Sequence, residues 1–161
     1  MTEIVKQYDN WSCMACVAAM ITGETLQDVV DFVGHDGSAV VEWSDHPDKK
    51  EGFQLYEIDQ YLMSRGYSFA AELTVRDQAQ IGDKSVDCEV DFSLAMVLIA
   101  KSPSLEGCTH AMYWDGQTVF DPKPDVIGHR LLKDYEIISL QIVHEYGPRE
   151  RLSWHDRKAA G

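Results

Sequence analysis

The sequence of 161 residues has few basic residues for its length. Lysine and arginine together number 14 against 27 aspartates and glutamates, which gives a formal net charge of −13. Because phosphate binding needs clustered Lys and Arg, this deficit argues against DNA or RNA as a partner. The acidic balance weakly favours a basic or neutral substrate, although high solubility alone would account for it.

The sequence also lacks any apolar run close to the roughly 18 residues that a transmembrane helix needs. Its first residues, Met-Thr-Glu-Ile-Val-Lys-Gln, lack the basic and then apolar order of a secretory signal. We therefore expect a cytoplasmic protein with no membrane partner. In that compartment cysteines are thiols, metal ligands or nucleophiles rather than a disulfide framework. The four cysteines are Cys13, Cys16, Cys88 and Cys108.

The hydrophobic pattern predicts helices first and strands afterwards. Small or apolar residues from Cys13 to Ile21, between Ser12 as an N-cap and Gly23 as a stop, predict a buried central helix. This order predicts an α+β fold, in which the central N-terminal helix packs on a mostly antiparallel sheet. The other expected elements are helices over 26–33 and 53–64, and strands over 67–75, 94–100, 109–114, 117–121 and 137–144.

The chain length predicts one domain over residues 1–146, followed by a loosely held tail over 147–161 that is charged and low in apolar content. Within the domain, residues 35–52 are acidic and irregular and predict a long surface loop. A loop of this length is either a substrate-facing lid or a tolerated insertion.

The stretch over 107–122 has the pattern of a β-hairpin with polar side chains on it. The Asp-Gly dipeptide at 115–116 lies between two β-prone runs and favours a two-residue type I′ turn. Counting outward from this turn places His110 directly opposite Asp121. Opposed residues share a face of the sheet, with Cβ atoms roughly 4.5–5.5 Å apart. The pattern therefore predicts an oriented His/Asp pair, which is two thirds of a nucleophilic triad.

Serine, threonine or cysteine could complete this pair, and Cys13 has the strongest physical case. The first turn of a helix presents unpaired N–H groups and the positive end of the helix dipole, which stabilise a thiolate. The same N–H groups could hold an oxyanion. Gln7, six residues before Cys13 on an extended segment, offers a side-chain amide for the same purpose.

These residues resemble the papain-like cysteine peptidase superfamily in type and order. The segment Gln-Tyr-Asp-Asn-Trp-Ser-Cys-Met-Ala-Cys-Val-Ala-Ala-Met-Ile resembles the N-terminal motif of its bacteriocin-leader (double-glycine) peptidase branch and of stand-alone bacterial and phage relatives. The segment His-Ala-Met-Tyr-Trp-Asp-Gly-Gln-Thr-Val-Phe-Asp-Pro resembles the His-to-Asp-Pro segment of that branch.

The resemblance implies a papain-like fold and a thiol hydrolase that cleaves a peptide or isopeptide bond in a protein or peptide substrate, without a cofactor or metal. By matching position, Cys13 would be the nucleophile and His110 the general base and acid. Asp121 would orient His110, and Gln7 would belong to the oxyanion hole. The same groups could serve an amidase or an acyltransferase.

Two other classes of protein stay open at this point. A catalytically silent papain-like binding module, for example a bacterial or phage inhibitor protein, would keep the fold and use the cleft to hold a partner. A structural zinc protein could take its four ligands from Cys13, Cys16, Cys108 and His110. Against zinc, the Cys-x-x-Cys pair lies on one face of an apolar helix.

Overall fold

A computed structural model describes residues 2–42, 49–75, 91–128 and 130–147. Within these ranges the predicted α+β fold is confirmed: three helices precede a five-stranded antiparallel sheet in the spatial order β1-β5-β2-β3-β4. The predicted tail, apart from Gly147, lies outside the described residues, as does Cys88. The elements are α1 Cys13–Thr22, α2 Leu26–Val33, α3 Leu55–Ser64, β1 Tyr67–Thr74, β2 Met96–Lys101, β3 Thr109–Trp114, β4 Val119–Phe120 and β5 Ile137–Glu145.

The helix α1 is the centre of the larger apolar cluster, because its side chains are small or apolar all round. Every residue from Ala15 to Ile21 is buried. The helix packs on β3 and against the other two helices. It ends at Gly23, which adopts a left-handed conformation (φ 73°) and donates its N–H to Ala19 O. The predicted central helix is therefore confirmed, with Cys13 in its first turn.

The sheet separates two apolar clusters because successive side chains of each strand point to opposite faces. The helices cover one face, where Val97, Ala111 and Tyr113 are buried with α1. The other face carries a second cluster that includes Met96, Leu98, Met112, Ile137 and Leu140.

No single helix in the described parts of the chain is both long and apolar enough to cross a membrane. Helices α1 and α2 would pass that test as a pair, but the chain bends by 111° between them. The apolar surface of α1 is covered by the sheet and by the other helices.

The segment over 35–52 contains a two-stranded ribbon and is not irregular throughout. Val41 donates its N–H to Lys49 O over 2.9 Å, and Glu51 donates to Ala39 O over 2.8 Å. The residues between the two limbs lie outside the described part. The second limb leads into α3, which begins two residues later than the predicted position.

The β3–β4 hairpin forms, but its register differs by two residues from the predicted one. Tyr113 pairs with Phe120, so continuing the ladder places Asp121 opposite Met112. The prediction that His110 lies directly opposite Asp121 is therefore wrong. Since a slip of two residues keeps every side chain on its face, the two side chains are diagonal neighbours on the same face.

The shifted register originates in the turn. The side chain of Asp115 accepts N–H bonds from Gln117 (2.9 Å) and Thr118 (2.8 Å), and its own N–H donates to Thr118 O over 3.4 Å. The central turn residues are therefore Gly116 and Gln117, and not Asp115 and Gly116. Gly116 has a φ of 97°, which suits the first central position of a type II′ turn.

Gly116→Ala is expected to lower the free energy of unfolding by about 2–4 kcal/mol. An alanine here adopts a strained positive φ, and its Cβ would overlap the backbone oxygen of Ser93. Gly128→Ala is the matched control, because Gly128 has a φ of 77° and nothing within 4 Å of the added Cβ; it should cost about 1 kcal/mol. Urea denaturation measures the free energy of unfolding of both variants. Equal losses would show that the close approach to Ser93 does not add to the cost of the substitution.

Candidate active site

Asp9 stabilises the chain immediately before α1 through hydrogen bonds to backbone N–H groups. Ser12 occupies the N-cap position, but its hydroxyl makes no capping hydrogen bond. Instead Asp9 Oδ1 accepts the N–H groups of Trp11 (2.9 Å) and Ser12 (2.7 Å). The prediction that Ser12 is the N-cap residue is therefore confirmed, although its side chain does not supply the cap. Cys13 follows as the first helical residue, where N–H groups lack intrahelical acceptors and the helix dipole is positive.

The short strand β4 exposes the edge of β3 on which the Cys13 thiol lies. Because β4 pairs with Tyr113 and Trp114 and ends there, the outer edge of β3 has no strand partner at Ala111 among the described residues. The Ala111 N–H donates to Cys13 Sγ over 3.5 Å. A backbone donor aimed at the sulfur stabilises negative charge on it.

His110 and Asp121 form a buried pair, as their predicted shared face requires. His110 Nε2 lies 2.7 Å from Asp121 Oδ1, and the two residues are 6% and 2% exposed. The same carboxylate oxygen accepts the Lys123 N–H over 2.9 Å. The other oxygen, Oδ2, accepts the Tyr135 hydroxyl over 2.6 Å. Both oxygens of the buried carboxylate are therefore satisfied.

The electrostatics of this pair favour an imidazolium beside a carboxylate. Burial alone would lower the pKa of His110, but hydrogen bonds to Asp121 and Cys13 outweigh burial and raise that pKa to about 9. Burial would raise the pKa of Asp121, but the hydrogen bonds from His110 and Tyr135 hold it below its ordinary value. Since Nε2 is engaged by Asp121, Nδ1 is the ring nitrogen left to exchange a proton with Cys13.

Gln7 is the site residue that was predicted on the segment before α1. It is 5% exposed and lines the same cleft as Cys13. Its backbone N–H donates to Pro122 O over 2.9 Å, and its Nε2 donates to Asp9 O over 2.5 Å. Because Nε2 carries two hydrogens, one remains for a ligand. Its Oε1 is buried without a hydrogen-bond partner among the described residues.

Sequence reasoning missed Lys6, which anchors the segment that follows β4. Lys6 Nζ donates to three backbone oxygens: Asp121 O at 2.8 Å, Lys123 O at 3.0 Å and Val126 O at 2.9 Å. Burial lowers the pKa of Lys6, although the Asp121 carboxylate opposes the change. Lys6 thus ties the segment carrying Gln7 to the segment carrying Asp121.

The site opens into a cleft of about 680 Å³. Gln7, Cys13 and His110 line it together with the second limb of the 35–52 ribbon. The opposite wall is the connection between β2 and β3, including Ser102, Pro103, Leu105 and Cys108. The thiol and the imidazole therefore face one cleft, whose volume lies within the ordinary range of ligand pockets.

The four residues considered as zinc ligands do not form a metal site. Cys16 is fully buried in the apolar cluster around α1, and burial raises the pKa of its thiol to about 12. In the described parts of the chain, no group of three or more His, Cys, Asp or Glu side chains is placed to hold a metal ion. Cys16 thus packs in the apolar cluster, whereas Cys13, Cys108 and His110 line the cleft.

No protein-family model matches the chain. A search of curated proteins likewise finds no similar sequence. The likeness to papain-like peptidases therefore stays a prediction from the residues themselves.

Tyr135→Phe is expected to raise the pKa of Asp121, because the buried Oδ2 loses its hydroxyl donor. As the pH is lowered, the rate of Cys13 alkylation should then begin to fall at a higher pH than in the wild type. The rate of bond cleavage should be about tenfold lower. Tyr56→Phe is the control, since Tyr56 is 64% exposed. Alkylation by iodoacetamide, followed by mass spectrometry across pH, measures the shift. A profile equal to that of the wild type would remove Tyr135 from the site.

The raised pKa of His110 also predicts how stability changes with pH. Since the folded state favours the imidazolium, this stabilisation is fully present below pH 6.5 and is lost as the pH rises through about 9. Over this window the free energy of unfolding should fall by on the order of 3 kcal/mol in the wild type but not in His110→Gln. His144→Gln, at an exposed position of β5, should behave as the wild type. Urea denaturation at a series of pH values measures these free energies. An equal change in all three proteins would contradict the prediction.

Proposed function

We propose that this protein is a papain-like thiol hydrolase that cleaves a peptide or isopeptide bond in a protein or peptide substrate. The observation that carries the proposal is one chain of contacts in an open cleft. It runs from the Tyr135 hydroxyl through the carboxylate of Asp121 to the imidazole of His110. The Cys13 thiol, at the start of α1, lines the same cleft as His110 and accepts the N–H of the next residue, Ala111. A nucleophile, a base and an orienting acid in this order are the parts of a thiol triad.

The architecture supports the papain-like assignment. The nucleophile begins a buried helix, and that helix packs on an antiparallel sheet whose hairpin supplies the histidine, with the aspartate directly after its second strand. The cleft lies between the helix and the sheet connections. Because one fold hosts many activities, the residues of the site and not the fold determine the activity.

In the first step, the Cys13 thiol proton resides on His110 Nδ1 and the thiolate attacks the substrate carbonyl carbon. A new S–C bond forms, and the carbonyl π electrons move to the oxygen. The Cys13 N–H and the free Nε2 hydrogen of Gln7 would stabilise that oxyanion. Asp121 keeps the imidazolium oriented and stabilises its charge.

In the second step, the oxyanion collapses and the C–N bond breaks, while His110 gives its proton to the leaving amine. This leaves a thioester on Cys13. His110 then takes a proton from water, whose oxygen attacks the thioester carbonyl. Collapse of the second intermediate releases a carboxylic acid, and the proton returns to the Cys13 sulfur.

Cleavage of a complex peptide mixture in H₂¹⁸O tests this proposal. A hydrolase creates new C-termini that carry one ¹⁸O from solvent, and their formation should disappear in Cys13→Ala. Products joined to an added amine would favour an acyltransferase. If the protein bound peptides but formed no cleavage products that depend on Cys13, the proposal would be overturned and a binding module would be favoured.

A further inference from the structure

The charge of the cleft differs from the charge of the chain. Among the described residues that line the cleft, the fixed charges are Lys49, Lys50 and Lys123 against Glu51. Three lysines and one glutamate give a balance of +2, whereas the whole chain carries −13. A cleft with low-dielectric walls focuses its local field, so its sign decides which ligand is attracted at short range.

The lysines approach the site from two sides. Lys49 and Lys50 lie on the ribbon limb, where Lys50 Nζ is 5.7 Å from the centre of the Trp11 ring. Lys123 follows Asp121 by two residues, and its side chain is 22% exposed. Its ion pair with Asp125 spans 3.3 Å, and Asp125 is 71% exposed. Because Asp125 lies largely in solvent, water and salt screen this contact, and Lys123 can still attract an anionic ligand.

The acyl-transfer steps use none of these three lysines. The cleft wall is otherwise mixed, since Trp11, Phe53 and Leu105 line it beside the charged groups. An alternation of apolar and cationic contacts suits a peptide with acidic side chains better than a polyanion, which needs a continuous basic surface.

We propose that the substrate is a peptide segment with acidic side chains within a few residues of the bond that is cleaved. This rests on the proposed function for the identity of the reacting bond, and on the cleft lysines for the charge of the ligand. The preference is opposite to the one that the net charge of the chain suggests.

The ratio of the rates at which iodoacetate and iodoacetamide alkylate Cys13 measures the local field. The two reagents have nearly the same size and mechanism and differ by one negative charge. In Lys49→Gln/Lys123→Gln this ratio should fall about threefold to tenfold. Lys101→Gln is the matched control, because Lys101 is 62% exposed, pairs with Glu136 and does not line the cleft. Its ratio should equal that of the wild type.

Tripeptide vinyl sulfones test the same preference in a peptide. Acetyl-Glu-Glu-Gly vinyl sulfone should modify Cys13 at least about tenfold faster than the Lys-Lys-Gly analogue at low salt. The difference should shrink in the double variant and at high salt. Equal rates, or faster modification by the lysine peptide, would overturn the proposal.

The two proposals fail in different ways. If Cys13 is not an activated nucleophile, both reagents react slowly with it near neutral pH. The ratio of their two rates can still be measured at alkaline pH and still reports the local electrostatic field of the cleft. If Cys13 reacts quickly and the ratio does not respond to the lysine substitutions, the hydrolase stands and the acidic substrate does not.

Discussion

Cys13→Ala is expected to reduce bond cleavage to the uncatalysed background, a loss of about 10⁴-fold or more. In the proposed mechanism the Cys13 sulfur makes the covalent bond to the substrate. Of the three cysteines that the structure describes, only Cys13 lies at the start of α1. Alanine favours helices, so α1 should persist. Formation of ¹⁸O-labelled C-termini from the peptide mixture measures the loss.

Cys16→Ala is the matched control for this experiment. Its thiol lies one helical turn further along α1 and is fully buried in the apolar cluster. The substitution should cost some stability and leave the rate of cleavage near that of the wild type. If Cys16→Ala abolished cleavage and Cys13→Ala did not, the assigned nucleophile would be wrong.

His110→Ala is expected to reduce cleavage by about 10³-fold or more, because the thiol loses its base and the leaving amine loses its acid. The change also leaves the Asp121 carboxylate, which is 2% exposed, without its cationic partner. Loss of one member of a buried pair costs about 3–5 kcal/mol. Circular dichroism and urea denaturation should therefore accompany the rate measurement, so that rates are compared only between folded proteins.

His144→Ala provides the comparison for His110, because His144 is an exposed residue of β5. It should keep both the stability and the rate of the wild type. Full activity in folded His110→Ala would show that another group serves as base, and the chain of contacts from Tyr135 to His110 would then have no catalytic role.

The helices could be predicted closely from sequence, because their signals are local. Gly23 and Gly34 end α1 and α2 in left-handed conformations. Thr25 begins α2 with a hydroxyl that accepts the Asp28 N–H. Each of these signals acts within four residues, so the neighbouring residues in the sequence are sufficient to place the ends of the helix.

The hairpin register could not be predicted, because two turns one residue apart compete in the same sequence. An Asp-Gly dipeptide suits a type I′ turn. The Asp115 side chain instead binds the N–H groups of Gln117 and Thr118 and moves the turn by one residue. The pairing of His110 with Asp121 survives because the register changes by an even number of residues.

The candidate site could be predicted only in part. Cys13, His110 and Gln7 line one cleft, and the buried Asp121 binds His110. Tyr135 could not be predicted, because no local pattern connects a tyrosine to a carboxylate 14 residues earlier. The positive balance of charge in the cleft was hidden for a similar reason: composition averages over the surface, while the fold decides which lysines meet.

Lys6 shows the same limit over a longer range. Its three backbone acceptors lie between 115 and 120 residues away in sequence. Such contacts depend on the finished topology, in which the N-terminal segment lies beside the connection that follows β4. No signal in the residues around Lys6 indicates them.

The rate at which iodoacetamide alkylates each cysteine, measured by mass spectrometry from about pH 4 to about pH 10, tests the activated Cys13–His110 pair most directly. We expect Cys13 to react much faster than the partly buried Cys108 below about pH 7, and we expect this advantage to disappear in His110→Ala. A Cys13 that reacts no faster than Cys108, or that keeps its advantage without His110, would show that His110 does not activate Cys13.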